Sequence, residues 1–201
     1  MELSAMRALL IPLVLAGLCQ AASAGDISSA YTDLDWDKDC VTYAQAAEGE
    51  GDWASLACSG YRGYPVLIGY DDARESLFYG FPSHDMTSVW ESFSALNTAG
   101  PKVEWRVETD GDIAIPFAAI HRRSISNPED ENKSTEVLVV AKVAQPDVQE
   151  GCTVGLVLAT GNPQANDQAR KLADEKAKSF ACGKDKRVVI GNAPDFGRVD
   201  N

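Results

Sequence analysis

Four cysteines after the N-terminal segment constrain this fold more than any other feature. They are Cys40, Cys58, Cys152 and Cys182. An even number of cysteines in an exported chain indicates disulfides, which fix the distant segments that must lie side by side. Four cysteines allow three pairings, and their spacing alone does not choose among them. The sequence has no C-x-x-C pair, which argues against a structural zinc site.

The first residues carry the features of an export signal. Arg7 precedes an apolar stretch over residues 8–18, and Ala22-Ser23-Ala24 fits the pattern after which signal peptidase cleaves. The stretch is shorter than the ~20 apolar residues that span a bilayer. A lipoprotein is the alternative because of Cys19, but the large Leu18 before it disfavours lipid attachment. We predict a signal peptide over 1–24 and a periplasmic or secreted protein, with no stable membrane insertion after cleavage.

Segment lengths favour one of the three cysteine pairings. A strand over 152–160 covers ~27 Å, and a helix over 163–182 returns ~30 Å. An antiparallel return therefore brings Cys182 beside Cys152. Cys40 is then left to pair with Cys58, across a loop short enough for a hairpin. Each bond should stabilise the fold by ~2–4 kcal/mol.

Charge and length narrow the classes of function. The formal net charge of −12 argues against binding to nucleic acid, because phosphates would be repelled. Residues 25–201 have the length of one domain with a substantial core, and they contain no internal repeat. We therefore predict a single disulfide-stabilised domain.

Hydrophobic periodicity predicts an α+β fold, with a mostly antiparallel sheet, a shorter central helix and one long C-terminal helix packed on the sheet. Alternation and tight breaks predict strands over 31–40, 53–58, 64–70, 75–81, 103–108, 117–125, 137–144, 153–159 and 187–190. The segment 53–81 has the pattern of an antiparallel meander. The polar segment 127–134 is predicted to be a hairpin loop.

Both predicted helices rest on apolar residues at helical spacing. The central one is based on Met86, Val89, Trp90, Phe93 and Leu96. The C-terminal one is based on Ala165, Ala169, Leu172, Ala173, Lys176 and Phe180, with Asn162 as its cap and Gly183 beyond its end.

A resemblance covers most of the chain after the signal segment. It is carried by the segments YTDLDWDKDC, CSGYRGYPV, VEWRV, PFAAIHRRSI, VLVVAK and NPQANDQARKLADEKAKSFAC. Together they resemble an uncharacterised family of small exported proteins from alphaproteobacteria. The resemblance implies export and a single domain. It implies no activity, cofactor or site residue, because the family has no assigned activity.

One loop has the composition of a binding site. Tyr61-Arg62-Gly63-Tyr64-Pro65 combines aromatic rings, a guanidinium and glycine, and tyrosine and arginine are enriched at binding hot spots. A disulfide at Cys58 would anchor one end of the loop. In the alternative interpretation, Tyr61 and Tyr64 simply fold over the edge of the sheet.

A basic cluster offers a second candidate site. Strand alternation places His121 and Arg123 on one face, with Arg122 on the other. Arg106, on a neighbouring predicted strand, would complete a cationic patch for a carboxylate or phosphate. The alternative is cross-strand pairing of these residues with Asp and Glu.

No motif assigns catalysis, a metal or a cofactor. His84 and His121 are the only histidines, and neither lies in a G-x-S-x-G, S-x-x-K or H-E-x-x-H motif. Aspartates at 33, 35, 37 and 39 suggest calcium, but Lys38 occupies the position where the EF-hand loop requires glycine. We therefore predict no cofactor and no metal site.

Two classes of function remain. The first is a non-enzymatic envelope protein that binds another protein or a cell-wall component through the tyrosine-containing loop, with the cationic strand patch as a second contact. The second is a hydrolase with an unrecognised site around His121. A deep pocket joining His121 to a serine or carboxylate would favour the hydrolase. A shallow sheet surface with exposed Tyr61 and Tyr64 would favour binding.

Overall fold

A computed structural model describes residues 25–83 and 89–200 of the chain. In this range the strands are β1 (Asp26–Asp33), β2 (Cys40–Gln45), β3 (Trp53–Cys58), β4 (Val66–Asp71), β5 (Arg74–Tyr79), β6 (Val89–Phe93), β7 (Asn97–Asp110), β8 (Ile113–Asn127), β9 (Asp130–Lys142), β10 (Cys152–Leu158), β11 (Val188–Ile190) and β12 (Phe196–Asp200). The α-helices are α1 (Trp36–Asp39) and α2 (Ala165–Lys176), and a 3₁₀ turn over Ala177–Ser179 extends α2.

The predicted α+β class is wrong. The structure is 55% strand and 13% helical, and within residues 25–83 and 89–200 its one substantial helix has 15 residues, over 165–179. The predicted C-terminal helix over 163–182 is therefore too long. Its apolar spacing is real, because Ala165, Ala169, Leu172 and Ala173 are buried. The fold is better described as stacked β-sheets with one helix on an outer face.

The six-stranded sheet is the centre of the fold. Its strand order is β1-β7-β8-β9-β10-β11, and every neighbouring pair is antiparallel except β10 with β11. A parallel pair needs a crossover connection, and α2 supplies it. One face of the sheet packs against α2, where Leu172 meets the layer formed by Ile120 and Val140. The helix thus covers a single face of the large sheet.

The opposite face packs against two smaller sheets. The strands β2-β3-β4-β5 form an antiparallel meander, in which β3, β4 and β5 were predicted from their alternation and breaks and β2 was not. Its inner residues Val66, Ile68 and Tyr79 are buried against Trp105 of the large sheet. The antiparallel pair β6 and β12 covers the other end of this face with Phe93 and Phe196. The large sheet is therefore buried on both sides.

Both predicted disulfides are confirmed. Cys152, at the start of β10, bonds to Cys182, just beyond the helical run, with 5.8 Å between their Cα atoms. Cys40 and Cys58 are cross-strand partners of β2 and β3. These bonds fit an exported protein, because oxidising compartments preserve disulfides.

The predicted central helix is also wrong. Residues 89–93 form β6, which pairs with β12 about a hundred residues later in the chain. Met86 lies outside the described residues. Five apolar positions in a short window do not distinguish a helix from a strand. Pairing with β12 determines that this segment is a strand.

Two smaller predictions need correction as well. The predicted loop over 127–134 is mostly strand, since β8 ends at Asn127 and β9 begins at Asp130. The predicted strand over 31–40 is interrupted by α1, whose first turn is capped by the Asp35 carboxylate. Within residues 25–83 and 89–200, no helix is long and apolar enough to cross a membrane.

Candidate functional site

The loop between β3 and β4 holds Arg62 in an unusual backbone conformation. Tyr61–Gly63 forms a 3₁₀ turn in which Arg62 has φ 46° and ψ 44°. This is the left-handed region, which residues with a Cβ atom rarely occupy. Strained backbone of this kind clusters at functional sites, so the turn merits a functional interpretation. It places Arg62 at the exposed tip of the loop. We call residues 59–65 the tyrosine loop.

A stack of rings supports the tip of the tyrosine loop. The guanidinium carbon of Arg62 lies 5.4 Å from the ring centroid of Tyr61, at cation–π distance. The Tyr61 ring in turn lies 6.4 Å from the Trp105 ring, between centroids. Trp105 is fully buried in the large sheet, and a Cβ at Gly60 would come within 2.8 Å of its ring. Glycine at position 60 therefore lets the loop reach this rigid support.

Tyr64 anchors the other end of the tyrosine loop. Its hydroxyl donates a hydrogen bond of 2.8 Å to Oε1 of Gln145, and its ring meets Phe81 edge-on at 5.1 Å. Burial raises the pKa of the Tyr64 hydroxyl, and the nearby Asp147 charge adds to the shift. Tyr61 and Tyr64 are both half-buried, so they pack against the sheets and leave Arg62 as the exposed group.

The charge of Arg62 has no carboxylate partner among the described residues. Within the described part of the chain Arg62 makes no salt bridge, although the sequence contains 30 acidic residues. Other arginines do pair with carboxylates, namely Arg74, Arg106, Arg122, Arg123, Arg170 and Arg198. An exposed, stacked guanidinium that is left unpaired in so acidic a chain is suited to binding a carboxylate from another molecule.

The predicted cationic patch is not assembled. Arg106 lies on the face that packs against α2, where Nε and Nη2 donate to the two Asp174 carboxylate oxygens at 2.8 and 2.7 Å. His121 and Arg123 lie on the opposite face of the large sheet, both buried. The register between strands explains the separation, since His121 faces Val103 rather than Arg106. The three residues therefore cannot bind one ligand together.

His121 is enclosed by the core. Its side chain is 0% exposed. Nε2 lies 2.6 Å from the Gly100 carbonyl oxygen, which can only accept, so this nitrogen carries the proton. Nδ1 then accepts from the Tyr79 hydroxyl at 2.8 Å. Burial lowers the pKa of His121 to about 4, and the Arg123 charge acts in the same direction. His121 is thus a neutral side chain with both ring nitrogens occupied.

Arg123 forms a buried ion pair beside this histidine. Nη2 donates to the Glu75 carbonyl oxygen at 2.8 Å and to Oδ1 of Asn97, and it lies 3.6 Å from the Glu75 carboxylate. Burial lowers the pKa of Arg123 and raises that of Glu75, while their mutual attraction opposes both shifts. The pair is a structural link between the large sheet and the meander.

Sequence reasoning missed the partners Glu75 and Tyr79. A signal for them exists, because both lie on one face of β5 with Leu77 between them. Polar residues on the inner face of a predicted strand indicate a buried hydrogen-bonding network. Nothing in the local sequence indicates that their partners come from β8.

Other predicted candidates give no site. Among the residues that the structure covers, no group of three or more metal-ligating side chains comes together. Asp33 pairs with Lys102, and the Asp39 carboxylate accepts from the Asp35 amide at 2.9 Å. His84 lies outside the described residues.

Comparison with known proteins gives no assignment. No protein-family model, curated protein or solved structure matches the chain. The function therefore has to be argued from the geometry.

Proposed function

We propose that the protein acts after export as a non-enzymatic binding or accessory protein, whose partner is a protein that presents a carboxylate to Arg62. One observation carries this proposal. Arg62 is exposed, unpaired within the described residues, stacked on Tyr61 and positioned by a left-handed turn. A guanidinium binds a carboxylate through two parallel hydrogen bonds, which gives both affinity and orientation.

The tyrosine loop is organised before a partner arrives. Cys58 precedes it and is bonded to Cys40, while Tyr64 fixes its far end through Gln145. Binding by a preorganised loop loses less conformational entropy than binding by a flexible one. The stack on Trp105 likewise limits the rotamers open to Tyr61. These restraints support a role in recognition.

A protein partner fits the tyrosine loop better than a cell-wall glycan. Sugar rings are commonly bound by stacking on an open aromatic face, and the Tyr61 ring already contacts Trp105 and the Arg62 guanidinium. Tyrosine and arginine together are typical of hot spots between proteins. A cell-wall ligand is therefore the alternative to a protein partner, and the crosslinking experiment distinguishes the two.

The hydrolase alternative gains no support from His121. A general base must reach the proton that it abstracts, and this side chain has no exposed surface. Its ring nitrogens are engaged by Tyr79 and by the Gly100 carbonyl. We therefore do not propose catalysis at this residue.

The proposal includes a location outside the cytoplasm. Residues 1–24 are the proposed signal peptide, and the protein is proposed to act in the periplasm or outside the cell. The two disulfides support this location. We also propose that the chain is related to the small exported alphaproteobacterial proteins that it resembles.

A photo-crosslinking experiment in intact cells tests the proposal. A photoreactive amino acid replaces Ser59, the exposed first residue of the tyrosine loop. We expect a crosslink to one defined protein that disappears with Arg62→Gly, since glycine tolerates the left-handed turn and lacks the guanidinium. Lys171→Ala is the control, because it removes an exposed positive charge from α2, on the far side of the large sheet.

The outcomes of this experiment are distinct. Equal crosslinking in the Arg62→Gly and Lys171→Ala backgrounds would exclude the proposed role of Arg62. Crosslinks to peptidoglycan fragments, with cosedimentation of the purified protein with isolated sacculi, would replace the protein partner with a cell-wall ligand.

A further inference from the structure

A small charged cavity is lined by none of the residues of the tyrosine loop. It has a volume of about 170 Å³ and is formed by the start of β10, the turn after α2, and strands β6 and β12. Its lining residues are Glu91, Cys152, Thr153, Phe180, Gly183, Asp185, Arg187 and Arg198. The Cys152–Cys182 disulfide joins two of these segments covalently. The walls of the cavity are therefore held in place.

The charged groups of this cavity are two carboxylates and two guanidiniums. Glu91 is 8% exposed, and its Oε2 accepts from the Thr153 amide at 2.7 Å. Its other oxygen lies 3.5 Å from Nη1 of Arg198. Asp185 and Arg187 come from the turn after the helix. Positive and negative side chains therefore both line the cavity. Such a lining suits a ligand that carries one positive and one negative group.

Arg187 is positioned but lacks a carboxylate partner in the described chain. Its Nη1 donates to the Phe196 carbonyl oxygen at 3.2 Å, and its guanidinium carbon lies 4.9 Å from the Phe196 ring centroid. A guanidinium has five N–H donors, so most of its donors are not used by this contact. Asp185 uses Oδ2 to accept from the Ala181 amide at 2.9 Å, which leaves Oδ1 as an acceptor.

We propose that this cavity binds a small α-amino acid in its zwitterionic form, independently of the function proposed for the tyrosine loop. The ligand carboxylate pairs with Arg187, and the ligand ammonium pairs with Asp185. Glu91 and Arg198 line the same cavity and pair with each other, so Asp185 and Arg187 supply the charges for the ligand. A water molecule takes about 30 Å³ in the liquid, so a cavity of about 170 Å³ has room for about five water molecules, which is enough to hold glycine or alanine.

The test is a titration with alanine followed by amide chemical shifts in a ¹H–¹⁵N spectrum of the oxidised mature protein. We expect saturable shifts at Thr153 and Gly183, with a dissociation constant of ~1 mM for so small a ligand. Arg187→Gln should weaken alanine binding at least tenfold. Arg187→Lys, which keeps the positive charge, serves if Arg187→Gln fails to fold, and it should weaken binding several-fold.

Propionate separates a zwitterion site from a simple anion site. Asp185→Asn keeps an oxygen that can accept from the Ala181 amide, so the turn should persist. It should weaken alanine binding at least tenfold and leave propionate binding unchanged. Absence of saturable shifts at about 100 mM alanine, or equal alanine affinity in the wild type and both Arg187 variants, would overturn the proposal. Propionate binding as tightly as alanine, with Asp185→Asn having no effect, would also overturn it.

Discussion

Protonation of the buried His121 should destabilise the protein at mildly acidic pH. In the folded state burial holds the pKa of His121 at about 4, against 6.5 for the ordinary side chain. Between these two values the unfolded chain binds a proton that the folded chain does not. The stabilising effect is therefore fully present above pH 6.5 and is lost as pH falls towards 4. Below pH 4 this residue causes no further loss.

The size of this effect follows from the shift in pKa. Each pKa unit corresponds to about 1.4 kcal/mol, so acidification from pH 7 to pH 4 should lower the free energy of unfolding by about 3 kcal/mol through His121 alone. The side chain is 0% exposed, so solvent does not screen its charge in the folded state. This loss is a large part of the stability of an ordinary domain.

Urea unfolding between pH 7 and pH 4 measures the effect. The control is His121→Gln, whose amide can donate to the Gly100 carbonyl but does not titrate. Carboxylates titrate equally in both proteins, so the difference between their slopes isolates His121. We expect the wild type to lose about 1.2 kcal/mol more per pH unit than the variant between pH 6 and 4.5. Parallel curves would refute the reasoning, as would an NMR titration midpoint near 6.5 for His121 in a His84→Gln background.

Two further predictions concern the links between sheets and segments. Arg123→Met should lower the free energy of unfolding by about 3–5 kcal/mol, because it leaves Glu75 buried without its counter-charge. Adding Glu75→Gln should restore part of that loss in urea unfolding, and strictly additive losses would contradict the interpretation. Replacing Cys152 and Cys182 together with alanine should cost about 3–4 kcal/mol, since the bond closes a loop with a sequence separation of 30. Peptide mapping without reduction should recover a Cys152–Cys182 fragment, and a Cys152–Cys58 fragment would contradict the fold.

The sequence predicted the parts of the fold that local patterns determine. Alternation and tight breaks located three of the four strands of the meander, and most strands of the large sheet were found as shorter segments. The pairing of Cys152 with Cys182 followed from the lengths of a strand and a helical run. The pairing is correct although the helical run ends at residue 179, because the residues after it bring Cys182 to the start of β10.

Features that depend on distant partners were not predictable. The segment of β6 has apolar residues at helical spacing, but pairing with β12 makes it a strand. Alternation correctly placed His121 and Arg123 on one face of β8. It could not relate that face to Arg106 on β7, because the pairing that sets His121 opposite Val103 depends on both strands and is contained in neither segment. The cationic patch was lost for this reason.

The candidate site was predicted in composition but not in geometry. The sequence identified the tyrosine loop, with packing of its tyrosines on the sheet as the alternative interpretation. The stack of Arg62 on Tyr61 and Trp105 depends on β7 lying beneath the loop, and no local pattern contains that contact. The left-handed turn at Arg62 was equally hidden, because arginine gives no signal for it.

The affinity for the purified partner found by crosslinking tests the central claim most directly. Wild type, Arg62→Gly and Lys171→Ala should be compared by biolayer interferometry, together with their unfolding in urea. The account predicts at least tenfold weaker binding by Arg62→Gly, about 1.4 kcal/mol, with unchanged affinity for Lys171→Ala and similar stability for all three. Unchanged affinity of the Arg62→Gly variant in a folded protein would contradict the account.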